Sequence, residues 1–309
     1  MDAVDLLPDA ATRHQLLRYT LASRHRVASS LRASHISRER GEGIEFHQYR
    51  PYLPGDDLRR VDWRLYGRTD RHYVREAEQE SRLTVCLFVD TTASMGMHDK
   101  DGPSRLELAQ RTAAAIAWLS AQRHHDFGLV TLTDGRPVYL PPAAGNAQFQ
   151  RMTGALASLT PAGSWPRHAN MRHALQALPA RSKVFCFSDF FERGDEQTRA
   201  MRELLGMAHG LTSVQIVTAS ELAFPHRGQV EVIDAEHGET RVVDARAYRP
   251  RYLARFAELL DAVRREHRAL GARVVRVTAS TPVPDVLRAA LDHGLDAPAR
   301  LLAAVEAAS

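Results

Sequence analysis

The sequence predicts an α/β protein built on a mostly parallel sheet with helices on both faces. Three observations carry that expectation. From about residue 81 onward, strand-like and helix-like segments alternate, the pattern of βαβ units. The strand-like runs are apolar at consecutive positions rather than at every second one, as strands covered on both faces must be. Two of those runs, "LTVCLFVD" and "KVFCFSDF", lead into an aspartate, Asp90 and Asp189.

The elements follow in order. "LTVCLFVD" is the first core strand. "SRLELAQRTAAAIAWLSAQRH" is helical: Ser104 and Glu107 form a capping box, and Leu106, Ala109, Ala113, Ile116 and Ala117 recur at helical spacing. "FGLVTLTD" and "RPVYLPP" flank Asp134-Gly135, a hairpin turn that makes the second of them an antiparallel edge strand. Short helices are expected near 146–158 and 168–179. "KVFCFSDF", "TSVQIVTAS" and "ARVVRVTAS" are further core strands. A charged hairpin is inserted near 229–245, "QVEVIDAEHGETRVVDA". The long helix "PRYLARFAELLDAVRREHRAL" follows, with Pro250 near its start and Gly271 as its stop. Residues 1–80 read differently. A helix near 9–30 precedes a stretch dense in Gly, Pro, Arg and Asp, which needs packing onto a neighbour or a function of its own. The expected organisation is therefore an N-terminal segment, 1–80, packed on a main domain, 81–309.

The composition is that of a globular protein, 44% apolar and 25% charged over 309 residues. No apolar run approaches the ~20 residues of a membrane-spanning helix. The first residues are acidic where a signal peptide is basic, so the expectation is a soluble cytoplasmic protein. The net charge of +4 rests almost wholly on arginine. An arginine-rich N-terminal segment is one route to nucleic-acid binding, but acids and bases interleave, as in "DDLRRVDWRLYGRTDR", and no single-sign stripe forms. Cys86 and Cys186 lie inside apolar runs and read as reduced core residues.

Ligands of open α/β sheets collect beyond the carboxyl ends of the strands, where the strand order reverses. If Asp90 and Asp189 are neighbours there, their carboxylates converge on one crevice with the hydroxyls of Thr92 and Ser94. These are hard oxygen donors that suit Mg²⁺, or Mn²⁺ as the alternative, and not zinc. Ordinary helix capping by the same hydroxyls stays open. Enzyme motifs are lacking. "DTTASMG" has neither the glycines nor the lysine of a phosphate loop. Thr92 stands where a haloacid dehalogenase-type phosphotransferase has its second acid. Ser94 has no Gly-x-Ser-x-Gly elbow. A metal-dependent phosphohydrolase using Asp90 and Asp189 is the enzymatic alternative.

Two segments carry a family resemblance. "VDTTAS" resembles the metal-ion-dependent adhesion site of von Willebrand factor A domains, whose usual form is Asp-x-Ser-x-Ser. Residues 41–80, "GEGIEFHQYRPYLPGDDLRRVDWRLYGRTDRHYVREAEQE", resemble the signature of the Domain of Unknown Function 58 family. The resemblance lies in Gly41, Gly43, Glu45, Phe46, Arg50, Tyr52, Gly55, Asp56, Arg59, Asp62 and Trp63. It implies a Rossmann-like sheet of the von Willebrand factor A type, with metal loops after its first and fourth strands. Asp90, Thr92, Ser94 and Asp189 are then the metal ligands. It also implies a non-enzymatic adaptor that serves a MoxR-type AAA+ ATPase, and a client protein, in a chaperone-like or complex-assembly role. One departure stands out. The family's second metal loop usually reads "GGTDLxxAL", and aligning "NMRHALQAL" puts Ala169 at the threonine and Asn170 at the aspartate, with Ser164 as an alternative donor. Within the signature, Trp63, Tyr52 and Phe46 are expected to staple the segment to the sheet, and Arg50, Arg59 and Asp62 to form internal ion pairs.

Overall fold

The computed structural model describes residues 6, 8–19, 21, 45–52, 61–78, 83–132, 138–167, 171–172, 175, 178–179, 182–191, 195–233 and 240–291. The chain divides into two compact units, residues 1–23 together with 83–309, and residues 24–82. The first residues thus belong with the larger unit.

α1 (Ala10–Leu16) is capped by Asp9, whose side chain accepts from the Thr12 N–H. It ends at Leu16, shorter than the helix expected over 9–30, because the Arg18 and Tyr19 N–H groups turn to 3₁₀-type bonds with the Gln15 and Leu16 carbonyls; residues 20 and 22–30 lie outside the described residues. Leu6, Leu16 and Leu21 are buried in the main core. The Lys183 ammonium donates to the Leu21 carbonyl at 2.9 Å and lies over the Phe185 ring at 5.5 Å. Burial pulls its pKa down to about 8.

The smaller unit holds β1 (Glu45–Pro51), α2 (Trp63–Thr69) and β2 (Tyr73–Glu78), with the two strands antiparallel. Asp62 caps α2, accepting from Arg64 N and Leu65 N at 2.9 and 3.0 Å. Trp63 is the first residue of α2. It is 57% exposed and meets Tyr66 and His72 edge-on. Gly41, Gly43, Gly55, Asp56 and Arg59 fall outside the described residues, as do the side chains of Phe46 and Arg50.

In the larger unit β3 (Thr84–Asp90) leads through a 3₁₀ turn, Ala93–Gly96, to α3 (Arg105–Gln122). β4 (Asp126–Leu132), β5 (Tyr139–Ala143) and α4 (Asn146–Ala157) come next, then β6 (Ser182–Ser188), α5 (Asp195–Met207), β7 (Ala208–Val217) and α6 (Ala219–Ala223). β8 (Gln229–Ile233) and β9 (Thr240–Asp244) pair as the expected hairpin, separate from the main sheet. α7 (Ala245–Ala269), β10 (Arg273–Thr278) and α8 (Val283–Leu291) complete the unit. The six-stranded sheet has the order β10-β7-β6-β3-β4-β5, parallel throughout except for β5 at the edge. Counted along the sheet's own strands this is the order 3-2-1-4-5-6, read from the β5 edge, and it reverses between β3 and β6. The Rossmann-like sheet with its antiparallel edge is therefore as expected.

Side chains of β3 feed both cores alternately. Val85, Leu87 and Val89 join α3, α4 and α8 on one face, and Cys86 and Phe88 join α5 on the other. Cys86 and Cys186 are free and buried, and burial pushes the Cys86 thiol up to about 11, so both are core residues in behaviour. α3 starts with the expected Ser104–Glu107 capping box. α7 starts five residues before Pro250 because Asp244 caps it through Ala247 N at 3.0 Å. Gly271, at φ +87°, stops it as expected. The Asp134-Gly135 turn lies outside the described residues, although β4 and β5 pair as a hairpin. The helix expected over 168–179 is described at 171–172 and 175, which are helical, and at 178–179, which are not.

Gly128 in β4 has no room for a side chain: a Cβ there would sit 2.7 Å from the Leu140 carbonyl oxygen and 2.9 Å from Pro142. Both obstacles are backbone or ring atoms of the edge strand. Gly128→Ala should cost about 1–3 kcal/mol of stability by overpacking, read as a lowered urea midpoint with an unchanged slope.

Candidate functional site

β3 and β6 are neighbours at the point where the strand order reverses, so Asp90 ends one strand beside Asp189, which follows the other. Both side chains are nearly inaccessible. Asp90 is held from two sides: Oδ1 accepts from Thr92 N at 2.8 Å and Oδ2 from the Ser188 hydroxyl. Thr92 Oγ1 and Ser94 Oγ stand 3.1 Å apart above it. The predicted set of Asp90, Thr92, Ser94 and Asp189 is thus gathered at one crevice. Asp189 Oδ1 accepts from Phe191 N at 3.1 Å, and its backbone carbonyl accepts from Gln215 Nε2 at 3.0 Å. Phe190, between these two, has a φ of 58°, an uncommon conformation for a bulky residue and one that collects at functional loops.

The loop after α4 closes over the same end. Thr91 O accepts from Ala162 N at 2.8 Å, and Gly163 O accepts from Ala93 N at 2.9 Å. Ser164 follows one residue beyond that contact and is half-buried. Ala169 and Asn170 lie outside the described residues.

Arg105, the first residue of α3, was not anticipated. It is fully buried. Its Nη1 donates to Asp189 Oδ2 and, at 3.2 Å, to the Ser94 carbonyl; its Nη2 donates to Glu221 of α6. The guanidinium also faces the Phe191 ring, 5.6 Å from its centroid. A cation in the first turn of a helix opposes the helix dipole, and this was the available signal: "SR" directly after a cap needs carboxylates close by. The second missed group is Asp99, which takes the N–H groups of Ala219 and Ser220 at 2.8 Å each. Burial works against its ionisation, but those hydrogen bonds hold its carboxyl below the usual range.

The charges do not balance. Asp189 and Glu221 share the Arg105 guanidinium, and Asp90 makes no ion pair among the described residues. Burial first, and the Asp189 charge second, push Asp90 up to about 7. A buried carboxylate with that deficit, beside two hydroxyl oxygens, fits a small divalent cation of the oxygen-loving kind. Each carboxylate oxygen retains a second lone pair for it. No group of three or more His, Cys, Asp or Glu side chains able to hold a metal occurs among the described residues; a cation here depends on the hydroxyls.

The profile of the family described as "protein of unknown function DUF58" matches residues 48–261, well over half of the chain. The chain belongs to that family. DUF58 relatives include an uncharacterized protein of Mycobacterium tuberculosis and one of Mycobacterium bovis, each 28% identical over 227 residues, or 72% of this chain and 70% of theirs. Among solved structures, an aerotolerance-related membrane protein from Bacteroides fragilis aligns with a TM-score of 0.44 and 16% identity over 67% of this chain and 96% of its own. The VWA domain of SpRpn10 aligns at 0.40 and 14%, over 70% and 100%. BatB from Bacteroides thetaiotaomicron aligns at 0.40 and 13%, over 66% and 95%. No helix among the described residues of this DUF58 chain is long and apolar enough to cross a membrane.

Removing Arg105 leaves two buried carboxylates without their cation. Arg105→Met should therefore lower stability by about 3–5 kcal/mol, and adding Asp189→Asn should recover part of that in a double-mutant cycle read by chemical unfolding. Asp90 gives a pH signature. Its folded pKa lies above its unfolded one, so the folded state binds the proton more tightly and stability falls as pH rises from about 4 to about 7. In chelator, Asp90→Asn should remove that slope; a wild-type minus variant difference that stays flat across this window contradicts it.

Proposed function

We propose that this DUF58 protein is a non-enzymatic protein-interaction module whose docking end is the carboxyl edge of the sheet, around Asp90, Thr92, Ser94 and Asp189. The observation that carries the reading is buried Asp90 at the strand-order reversal, next to the strand that leads into Asp189 and in one loop with two hydroxyl oxygens 3.1 Å apart. Mg²⁺, or Mn²⁺, held by Asp90, Thr92 and Ser94, with Asp189 behind them, supplies a coordination position for an acidic side chain of a partner. Arg105 holds Asp189 and the Ser94 carbonyl in register for that set. Ser164 is the alternative donor for the missing threonine, on the loop that bonds to Thr91 and Ala93.

The partner we propose is a MoxR-type AAA+ ATPase, with a client protein brought to it in a cytoplasmic assembly or chaperone-like step. That assignment comes from the family resemblance. Catalysis is not part of this reading, because Thr92 stands where a second acid would serve Asp90 as the general acid/base.

Two measurements test the parts separately. After chelation, saturating Mg²⁺ or Mn²⁺ should raise the melting temperature of the wild type by on the order of 5 °C at a hundredfold excess over Kd. Asp90→Ala and Ser94→Ala should abolish the shift; an unresponsive wild type removes the metal. Separately, the tagged chain with Mg²⁺ and nucleotide should retain a purified MoxR-type ATPase encoded in the same genome. Failure to retain it removes that partner and leaves the metal result standing.

A further inference from the structure

A second feature lies outside the strand-end site. Between the end of α6, the loop to β8 and the first turns of α7 is an open groove of about 720 Å³. Its walls include Phe224, His226, Arg227, Gly228, Arg246 and Arg249, and no carboxylate is among its lining residues. In a chain where arginines and acids interleave, three guanidiniums and an imidazole without an acid are a local departure. Some exposed arginines elsewhere on the larger unit find acids, Arg255 with Glu258 and Arg288 with Asp285. Arg227 and Arg246 are exposed and make no ion pair among the described residues.

The groove is built rather than incidental. Arg249 is fixed by two bonds from Nε and Nη2 to the Ala223 carbonyl, at 3.2 and 3.1 Å. That carbonyl belongs to the last residue of α6, where a cation is favoured by the helix dipole. Phe224 takes a φ of 45° and is buried against Tyr252, with ring centroids 4.7 Å apart, and His226 packs edge-on to it at 5.1 Å. This anchored residue in the left-handed region turns the loop so that His226 and Arg227 line the wall. Gly228, with a φ of 70°, closes it by accepting from Ala245 N at 2.8 Å. Arg246 and Arg249, three residues apart on α7, share one helix face.

We infer that this groove binds an acidic peptide segment of a partner protein, its carboxylates meeting Arg227, Arg246 and Arg249. Charge complementarity names the occupant: guanidinium forks pair with carboxylates. The cations are exposed and come from two separate segments, a lay-out for an extended chain carrying several acids. One compact anion would call for convergent buried donors. The site does not depend on the cation proposed at Asp90.

Fluorescence anisotropy with the full chain and a labelled ten-residue Glu/Asp peptide tests it. Arg227→Glu and Arg246→Glu, whose side chains make no hydrogen bond among the described residues, are the variants of choice because folding does not depend on them. Each should weaken binding at least tenfold at low salt. Arg255→Glu, the same charge change further along α7, should weaken it less than twofold, and Asp90→Ala should leave it unchanged. An equal loss in Arg255→Glu, or no binding by the wild type, overturns the proposal. Full displacement by millimolar inorganic phosphate at constant ionic strength also overturns it, and reassigns the groove to phosphate.

Discussion

The larger unit is organised around one buried guanidinium. Arg105 stands where α3 begins, and through it the loop after β3, the loop after β6 and the helix after β7 are tied at a single point. A lone ion pair at such depth would be a poor source of stability, since desolvation offsets most of the attraction. Its contribution is to geometry. Ser94, Asp189 and Glu221 come from three separate strand ends, and only a group with several donors in a planar fork can fix all three at once. Lysine at this position would hold at most part of that arrangement.

Three strands end in the same local sequence. Thr92-Ala93-Ser94, Thr218-Ala219-Ser220 and Thr278-Ala279-Ser280 follow β3, β7 and β10, and in each the two hydroxyl oxygens lie 3.1–3.2 Å apart. The backbone device is shared, but its chemistry differs with the acid beside it. After β7, Glu221 returns the capping bond and Asp99 takes two further N–H groups, so every anion there has helix dipole or guanidinium to face. After β3 the acid is Asp90, which precedes the turn and has no helix end to lean on. The one copy with an unanswered charge is the one at the strand-order reversal.

Much of this was legible in the residues. Uninterrupted apolar runs identified β3 and β6 as strands covered twice, and their closing acids located the crevice, because strand ends and sheet order obey general rules. The capping box of α3 and the stop at Gly271 were local and therefore visible. What was not visible depends on contacts distant in sequence. Asp189 and Glu221 lie 84 and 116 residues from Arg105, and no local pattern reports such a pairing. Trp63 was legible as an aromatic of the signature, but its ring partners Tyr66 and His72, within the same unit, were not. The start of α7 was misplaced because proline marks a favoured first turn, whereas the Asp244 side chain sets the true one.

The N-terminal segment has a consequence for how the chain acquires its structure. Leu6, Leu16 and Leu21 fill the same core as β6 and α8, and Lys183 is satisfied by Leu21 O. Lys183 lies 162 residues along the chain from the Leu21 carbonyl it pairs with, and Arg123 lies 106 from Leu17. Contacts this distant in sequence raise the contact order and slow folding. Any intermediate in which this segment has not yet docked leaves the apolar side of the sheet that it covers exposed to water.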